Sequence, residues 1–502
     1  MKINTLLIAF SFLLVASLSA QVQDNGPKYK ANVPENVLTP DKVETNLLGT
    51  LDFFDGMPSK ETIQKTYDFI DVARAAETFL NGIPAASVYA VLEGLKEAGM
   101  KPGELGIFEE LLDARSLFLT PNSTTIYSMT EINVKDGPVV VEIPAGVLGP
   151  VDDAFFRFVT DVGMTGPDQG RGGKYLFVHS DYKNEIPEGY FVARTPTYRN
   201  LIFFRIIPRG GDLKAAVEEV KAGFRLYPLA QAANPPMQVF HDLSGKQFNT
   251  VHANNFKFFE ELNAVIQYEP ADAFDPELVG LFASVGIKKG QPFDPDTRMK
   301  NLLTEGVAIG NATARSITFS PRKRSVYYYD DRQWTSPFAG GSYEFMNNGE
   351  RVLDDRIFFH YYATGITPAM ADAKPGTGSA YAVTAKDSKG NFLDGGKTYK
   401  VTLPVPIPAK NFWSFMVYSG QHRSILETDQ RSGGLDNLNP DVKANADGSY
   451  TIWFCPQAPA GKEGNWIQTM PGKSYNVIFR LYGPLEPWFD KTWKPGDLEL
   501  VP

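Results

Sequence analysis

Asn411-Phe-Trp-Ser-Phe-Met-Val-Tyr418 is a strongly β segment, because aromatic side chains crowd a short run that fits a pleated, half-buried surface. Similar runs flank it: Tyr381-Ala-Val-Thr384 and Tyr399-Lys-Val-Thr-Leu403 before it, Tyr450 to Phe454 and Ser474 to Tyr482 after it. Turns rich in glycine and aspartate separate them. Residues 376–502 are therefore predicted to form a C-terminal, jelly-roll-like β domain.

The same reading works toward the N-terminus. Val139-Val-Val-Glu-Ile143, Phe155-Phe-Arg-Phe-Val159, Tyr175-Leu-Phe-Val178 and Leu201-Ile-Phe-Phe204 are strand-like and closely punctuated, which predicts an N-terminal β-sandwich over 106–210. Ahead of it, Ser59 is placed to cap a helix whose apolar positions Ile63, Tyr67 and Ile70 recur at helical spacing, and a second helix is expected over Val88–Ala98. Residues 58–105 are thus read as helices packing on the body, and 21–57 as an N-terminal extension. Asp212 opens a helical module over 211–320, with further helices at Asn254–Tyr268, Pro276–Val285 and Asp296–Thr318. Residues 321–375 form an aromatic-rich connector that includes a helix-like stretch from Asp354 to Thr364. The expected fold class is mainly β with a helical module, a multidomain α+β chain.

Residues 1–20 read as a signal peptide: Lys2 precedes an apolar run from Leu6 to Leu18, and Ser17 and Ser19 supply the small-x-small pair for cleavage after Ser19 or Ala20. No cysteine follows that point to carry a lipid anchor, and no later segment reaches spanning length, so the mature chain is expected to be secreted or periplasmic. The single cysteine, Cys455, excludes an intrachain disulfide and reads as a buried small hydrophobe within a strand. A net charge of −9 with mixed signs argues against nucleic-acid binding, since Arg322-Lys323-Arg324 is the one basic cluster and reads as a solvated loop edge.

Local catalytic motifs are missing. The five histidines, His179, His241, His252, His360 and His422, are far apart and form no metal-ligand spacing, and no G-x-S-x-G elbow occurs, so neither metal nor cofactor is predicted. The doublets Asp152-Asp153, Asp330-Asp331 and Asp354-Asp355 do not converge as neighbours on a strand or helix and read as turns and caps. Polar residues set in β surroundings are more informative, because burying them demands partners. They occur in Thr120-Pro-Asn-Ser-Thr-Thr-Ile-Tyr127, in Glu427-Thr-Asp-Gln-Arg431 with Asn465-Trp466, and in Arg480-Leu-Tyr482. The structural reading is a set of buried networks tying loops to sheets. The functional one is a ligand site drawn from Asn122, Tyr127, Asp429, Arg431, Asn465 and Arg480, with Trp413 or Trp466 as a stacking platform.

These motifs carry a resemblance. Leu119-Thr-Pro-Asn-Ser-Thr-Thr-Ile-Tyr127, Gly137-Pro-Val-Val-Val-Glu-Ile-Pro144 and Arg194-Thr-Pro-Thr197 resemble domain-of-unknown-function family 1254. Leu393-Asp-Gly395, Asn411-Phe-Trp413, Asn445-Ala-Asp-Gly-Ser449, Asn465-Trp466 and Arg480-Leu-Tyr-Gly-Pro484 resemble family 1214. The resemblance implies an immunoglobulin-like N-terminal β domain, a helical module and a jelly-roll-like C-terminal domain, and it supplies no activity. Thr124 departs from the family pattern, which places an aspartate there. The leading functional expectation is an exported binding or structural protein with a small-molecule, glycan, lipid or envelope ligand. Its competitor is a hydrolase or lyase whose site is assembled from distant acids and a histidine. Assembly into a homo-oligomer through the aromatic connector is compatible with either.

Overall fold

The computed structural model describes residues 27–206, 208–338 and 341–502, so the expected signal peptide lies outside the described residues. The chain divides into two compact units, Met1–Tyr67 and Asp68–Pro502. In the first, β1 (Lys42–Thr45), β2 (Gly49–Phe54) and β3 (Met57–Pro58) form an antiparallel sheet. Ser59 Oγ then accepts from the Thr62 N–H at 3.1 Å and starts α1 (Lys60–Glu97). The expected break between two helices is absent: α1 runs for 38 residues with Pro84 inside it. Proline removes one backbone bond, but Phe79, Leu80, Ile83, Ala85 and Ala86 are all buried around it, and that packing carries the helix through.

The second unit continues with nine strands. They are β4 (Leu105–Ile107), β5 (Ser116–Leu117), β6 (Ile126–Asn133), β7 (Val139–Ile143), β8 (Val147–Asp153), β9 (Phe158–Gly163), β10 (Gly173–His179), β11 (Phe191–Thr195) and β12 (Arg199–Ile206). Residues 154–157 form a turn with Phe156 at φ 50°, which corrects the strand expected from Phe155 onward: Asp153 Oδ1 accepts the N–H groups of Phe155 and Arg157 and closes the chain there. The stretch expected to be helical, 211–320, holds α2 (Leu213–Gly223), α3 (Lys257–Tyr268), α4 (Pro276–Ser284) and α5 (Thr297–Phe319). It also holds three short strands, β13 (Arg225–Pro228), β14 (Phe240–Asp242) and β15 (Phe248–Asn249). These pair with β7, β4 and β5 respectively, because edge strands recruit backbone partners that no residue pattern announces. A six-stranded sheet, β14-β4-β6-β12-β8-β9, faces a four-stranded one, β11-β10-β7-β13.

After β16 (Met346–Asn347), β17 (Glu350–Arg351), α6 (Leu353–Tyr362) and α7 (Pro368–Ala371) come the C-terminal strands. These are β18 (Ser379–Thr384), β19 (Thr398–Leu403), β20 (Ala409–Ser419), β21 (Gly434–Asp436), β22 (Tyr450–Cys455), β23 (Trp466–Gln468), β24 (Tyr475–Pro484) and β25 (Glu499–Val501). Sheets β18-β24-β20-β21 and β23-β22-β19-β25 enclose a core of Trp413, Phe415, Val417, Val477, Phe479 and Leu481. The fold is mainly β, multidomain and α+β.

Period-two alternation places a second core between the two β regions. From β6 and β12, Ile126, Ile132, Ile202, Phe204 and Ile206 point into the N-terminal sandwich, while Met129 and Leu201 point out of it. From β20 and β24, Met416, Tyr418 and Ile478 likewise leave the C-terminal sandwich. These outward residues meet in one apolar cluster with Val91, Leu95, Phe118 and Phe248. All ten residues of β24 are buried for this reason: one face belongs to each core.

Candidate functional site

At this meeting of two sheets lies a group of arginines and tyrosines. Along β24, Asn476, Ile478, Arg480 and Tyr482 share the face turned toward the N-terminal half, and Arg480 stands opposite Tyr381 in β18. From the other side, Arg205 and Tyr127 are register partners in β12 and β6.

Arg480 is only 5% exposed. Its Nη2 donates to the Thr120 carbonyl at 3.1 Å and to Tyr418 Oη at 2.8 Å. Tyr418 Oη in turn donates to the Pro121 carbonyl at 2.6 Å. Arg480 Nη1 and Tyr482 Oη, both buried, have no hydrogen-bond partner among the described residues. Burial disfavours the Arg480 charge, but the phenol oxygens of Tyr418, Tyr482 and Tyr381 more than offset it, so the guanidinium stays charged. The half-buried Arg205 is held in the same way, burial being countered by Tyr381, Tyr127 and Tyr482. None of the ion pairs among the described residues involves either arginine. Two cations therefore converge with phenols and a backbone carbonyl as partners and no carboxylate, and donors so placed can still take an anionic acceptor.

The loop that reaches into this junction is set by Asn122. Its Oδ1 accepts from the backbone N–H groups of Thr124 and Thr125, both at 3.0 Å, and from their hydroxyls at 3.1 and 3.0 Å. Its Nδ2 donates to Tyr127 Oη at 2.8 Å, which fixes the phenol opposite Arg205. Thr124 thus supplies a donor that an aspartate would lack at neutral pH. Thr120 has φ 43°, an outlier for a β-branched residue, and its N–H donates to the carbonyl of Arg423, itself at φ 58°. Both clasp the loop to the C-terminal half, where Ser123 Oγ also meets Ser432 Oγ at 2.7 Å.

Of the residues predicted from sequence, Asn122, Tyr127 and Arg480 come together here. The others do not. Trp413 is 2% exposed inside the C-terminal core, packed edge-on to Phe415 and Tyr450, so the stacking platform expected there has no free face. Trp466 is half-buried and donates through Nε1 to the Cys455 carbonyl at 2.8 Å. Asn465 bonds the backbone of Lys443 and Thr451. Asp429 exchanges hydrogen bonds with Gln468, and Arg431 pairs with Glu110 on the surface. The candidate set read from sequence lacks Arg205, Tyr381, Tyr418 and Tyr482, although Tyr482 closes the polar run Arg480-Leu-Tyr482; the signal for Arg205 is a cation closing the otherwise apolar run Leu201–Arg205.

Two cavities frame the choice of site. One, about 590 Å³, is lined by apolar residues such as Leu80, Ile309, Ile317 and Phe358, and part of its polar rim is paired, Arg322 with Asp354 at 3.2 Å and Asn81 with Glu77 and Arg356. A smaller one, about 220 Å³, is lined by Tyr381 together with Phe338, Met370, Ala371 and Ser379, and so abuts the junction. Burial raises the Tyr418 hydroxyl well above its usual range, and buried His252 and His360 are pushed down to about 3, burial being the main cause. Burial lifts Glu261 and Glu269 to about 7, but they accept backbone N–H groups elsewhere, of Ala253 and of Tyr198 and Arg199. No group of three or more metal-ligating side chains occurs among the described residues, and none of their helices is long and apolar enough to cross a membrane.

The two halves of the junction fall in separately matched regions. Residues 102–228 match the family described as DUF1254, and residues 378–486 match Protein of unknown function (DUF1214). No curated protein matches the chain. The VPA0106 protein from Vibrio parahaemolyticus is similar in structure, with a TM-score of 0.54 and 18% identity over 86% of this chain and 100% of that one, so the two share a fold. An uncharacterized protein from Burkholderia cenocepacia aligns over 87% of this chain and 96% of its own, with a TM-score of 0.41 and 10% identity. The chain is a two-domain protein of the families of unknown function DUF1254, at its N-terminal side, and DUF1214, at its C-terminal side.

Proposed function

We propose that this is an exported binding protein that takes a small organic anion at the arginine–tyrosine junction between its two β regions. One observation carries the reading: Arg480 is buried without a carboxylate, and its Nη1 lies unpartnered in the same cluster as an unpartnered Tyr482 hydroxyl. Both are donors, so an incoming carboxylate or phosphate oxygen satisfies them at once. The adjoining volume of about 220 Å³ suits a small molecule or a single sugar acid better than a polymer. Export rests on residues 1–20, whose composition is that of a cleaved leader. The oligomeric state is open to a light-scattering measurement, which a monomer at all concentrations would resolve against assembly.

Calorimetric titration with acetate, benzoate, galacturonate and inorganic phosphate tests the binding. Saturable binding to at least one is expected, weakened at least tenfold by Arg480→Lys, which keeps the charge and loses the planar fork. No binding to any of the four, or binding indifferent to Arg480→Lys and Tyr482→Phe, overturns it. A hydrolase or lyase reading is favoured by one observation, the buried carboxyls Asp152 and Asp161 on the same sheet face. Turnover across ester, amide, phosphate and glycoside panels, lost in Asp152→Asn, is what that alternative requires.

A further inference from the structure

The cavity of about 590 Å³ is walled by three helices, and no arginine or tyrosine of the junction lines it. Helix α1 supplies Leu80, α5 supplies Ile309 and Ile317, and α6 supplies Asp355 and Phe358. Two of these walls are locked together beside it. Gly306 and Gly310 bring α5 against α1, where an added Cβ would fall 2.3 Å from Ala75 Cβ and 2.9 Å from Phe79 Cδ1. Ile309 and Leu353, both in the lining, remain 45% and 48% exposed, so apolar surface of the cavity stays open to water. Only two polar side chains of the lining are buried, Asn81 and Asp355. Asn81 is fully engaged: Nδ2 donates to Glu77 Oε2 at 2.9 Å, and Oδ1 accepts from Arg356 Nη2. Asp355 is 8% exposed, and its carboxyl makes no hydrogen bond or ion pair among the described residues. Its place in the first turn of α6 favours the ionised form through the helix dipole. Burial works against that charge; Lys323, beyond ion-pair distance, supports it, and Asp354 opposes it.

A buried acceptor without a donor is costly, and a donor brought by a ligand offsets that cost. An ammonium is the donor that matches a carboxylate with no cation at ion-pair distance. The rest of the wall calls for an apolar body, and about 590 Å³ lies within the roughly 300–1,000 Å³ of sites for small organic molecules. We infer that this cavity binds an apolar primary amine, its ammonium on Asp355 and its hydrocarbon body against Leu80, Ile317 and Phe358. An anionic amphiphile matches the walls less well. Arg322 is already paired with Asp354 at 3.2 Å, Lys323 is exposed to water, and three carboxyls, of Glu77, Asp354 and Asp355, line the cavity. The site shares no residue with the arginine–tyrosine junction and stands whether or not an anion binds there.

Calorimetric titration of the full chain with octylamine and 2-phenylethylamine tests this, with octanol and octanoate as head-group controls. Octylamine is expected to bind saturably and at least tenfold more tightly than either control. Asp355→Asn should remove that preference while leaving octanol affinity unchanged. Ala312→Phe, a substitution at an exposed position of the lining, should weaken octylamine at least tenfold by filling the cavity, and it tests the site even if Asp355→Asn fails to fold. Arg480→Lys should leave octylamine binding as it is; a parallel loss would place the amine at the junction and overturn the assignment. No saturable binding of either amine, octanoate binding as tightly as octylamine, or octylamine binding indifferent to both Asp355→Asn and Ala312→Phe also overturns it.

Discussion

Replacing Arg480 by methionine is the sharpest test of the idea that no carboxylate of the protein compensates its charge. The change removes two charge-assisted hydrogen bonds, to the Thr120 carbonyl and to Tyr418 Oη, each worth about 1.5–3 kcal/mol. It also relieves the burial of a guanidinium that is 5% exposed and has no carboxylate, a penalty of several kcal/mol. The two effects are of similar size and opposite sign, so the net change is expected within about 2 kcal/mol of zero. Removing one partner of a compensated buried pair would instead cost about 3–5 kcal/mol. Urea denaturation followed by tryptophan fluorescence reads the difference as a shift in midpoint at constant slope. A loss above about 4 kcal/mol would show that the protein itself satisfies this charge, and the case for an anion site at the junction would collapse.

Other perturbations probe the same framework. Tyr418→Phe leaves the Pro121 carbonyl and one Arg480 donor unpaired and should cost about 2–4 kcal/mol, measured by the same denaturation. Gly365→Ala should cost about 2–5 kcal/mol, combining overpacking against Phe203 with a left-handed backbone; a neutral result would mean that the segment can move away. Asp152 is held well above the ordinary carboxylate range by burial, against the Ile366 N–H and with Asp153 and Asp161 adding to the rise. Its folded state therefore favours the protonated form: the stability it contributes is fully present below the unfolded value of about 3.9 and is lost as pH rises through the folded value. Asp152→Asn should accordingly raise the melting temperature at pH 8 and leave it unchanged near pH 3, and a destabilised variant at pH 8 would refute the buried, unpaired assignment. Trp413→Ala should cost about 3–5 kcal/mol without altering anion affinity, since Trp413 is packed in the C-terminal core.

Local pattern was enough for much of this chain. Alternation and aromatic content marked β7, β10, β12, β18, β19, β20 and β24, and apolar stripes marked α2 to α5, because those elements bury one face and the residue period records which. Three members of the junction, Asn122, Tyr127 and Arg480, stood out as polar residues within β surroundings that needed partners. The continuity of α1 through Pro84 was not legible, since the packing that overrides the proline comes from segments far along the chain. Nor were the short pairings of β13, β14 and β15, which rest on backbone groups common to all residues.

Sequence alone determined the β-rich, multidomain class and the order of the two β regions, because hydrophobic period and turn residues act over a few positions. Only the tertiary structure decided the site. Arg205 and Arg480 are separated by most of the C-terminal half, and neither belongs to a recurring spacing. What unites them is that β12 and β24 each turn one face outward into a shared core, so that two cations from different families of sequence meet without a carboxylate between them.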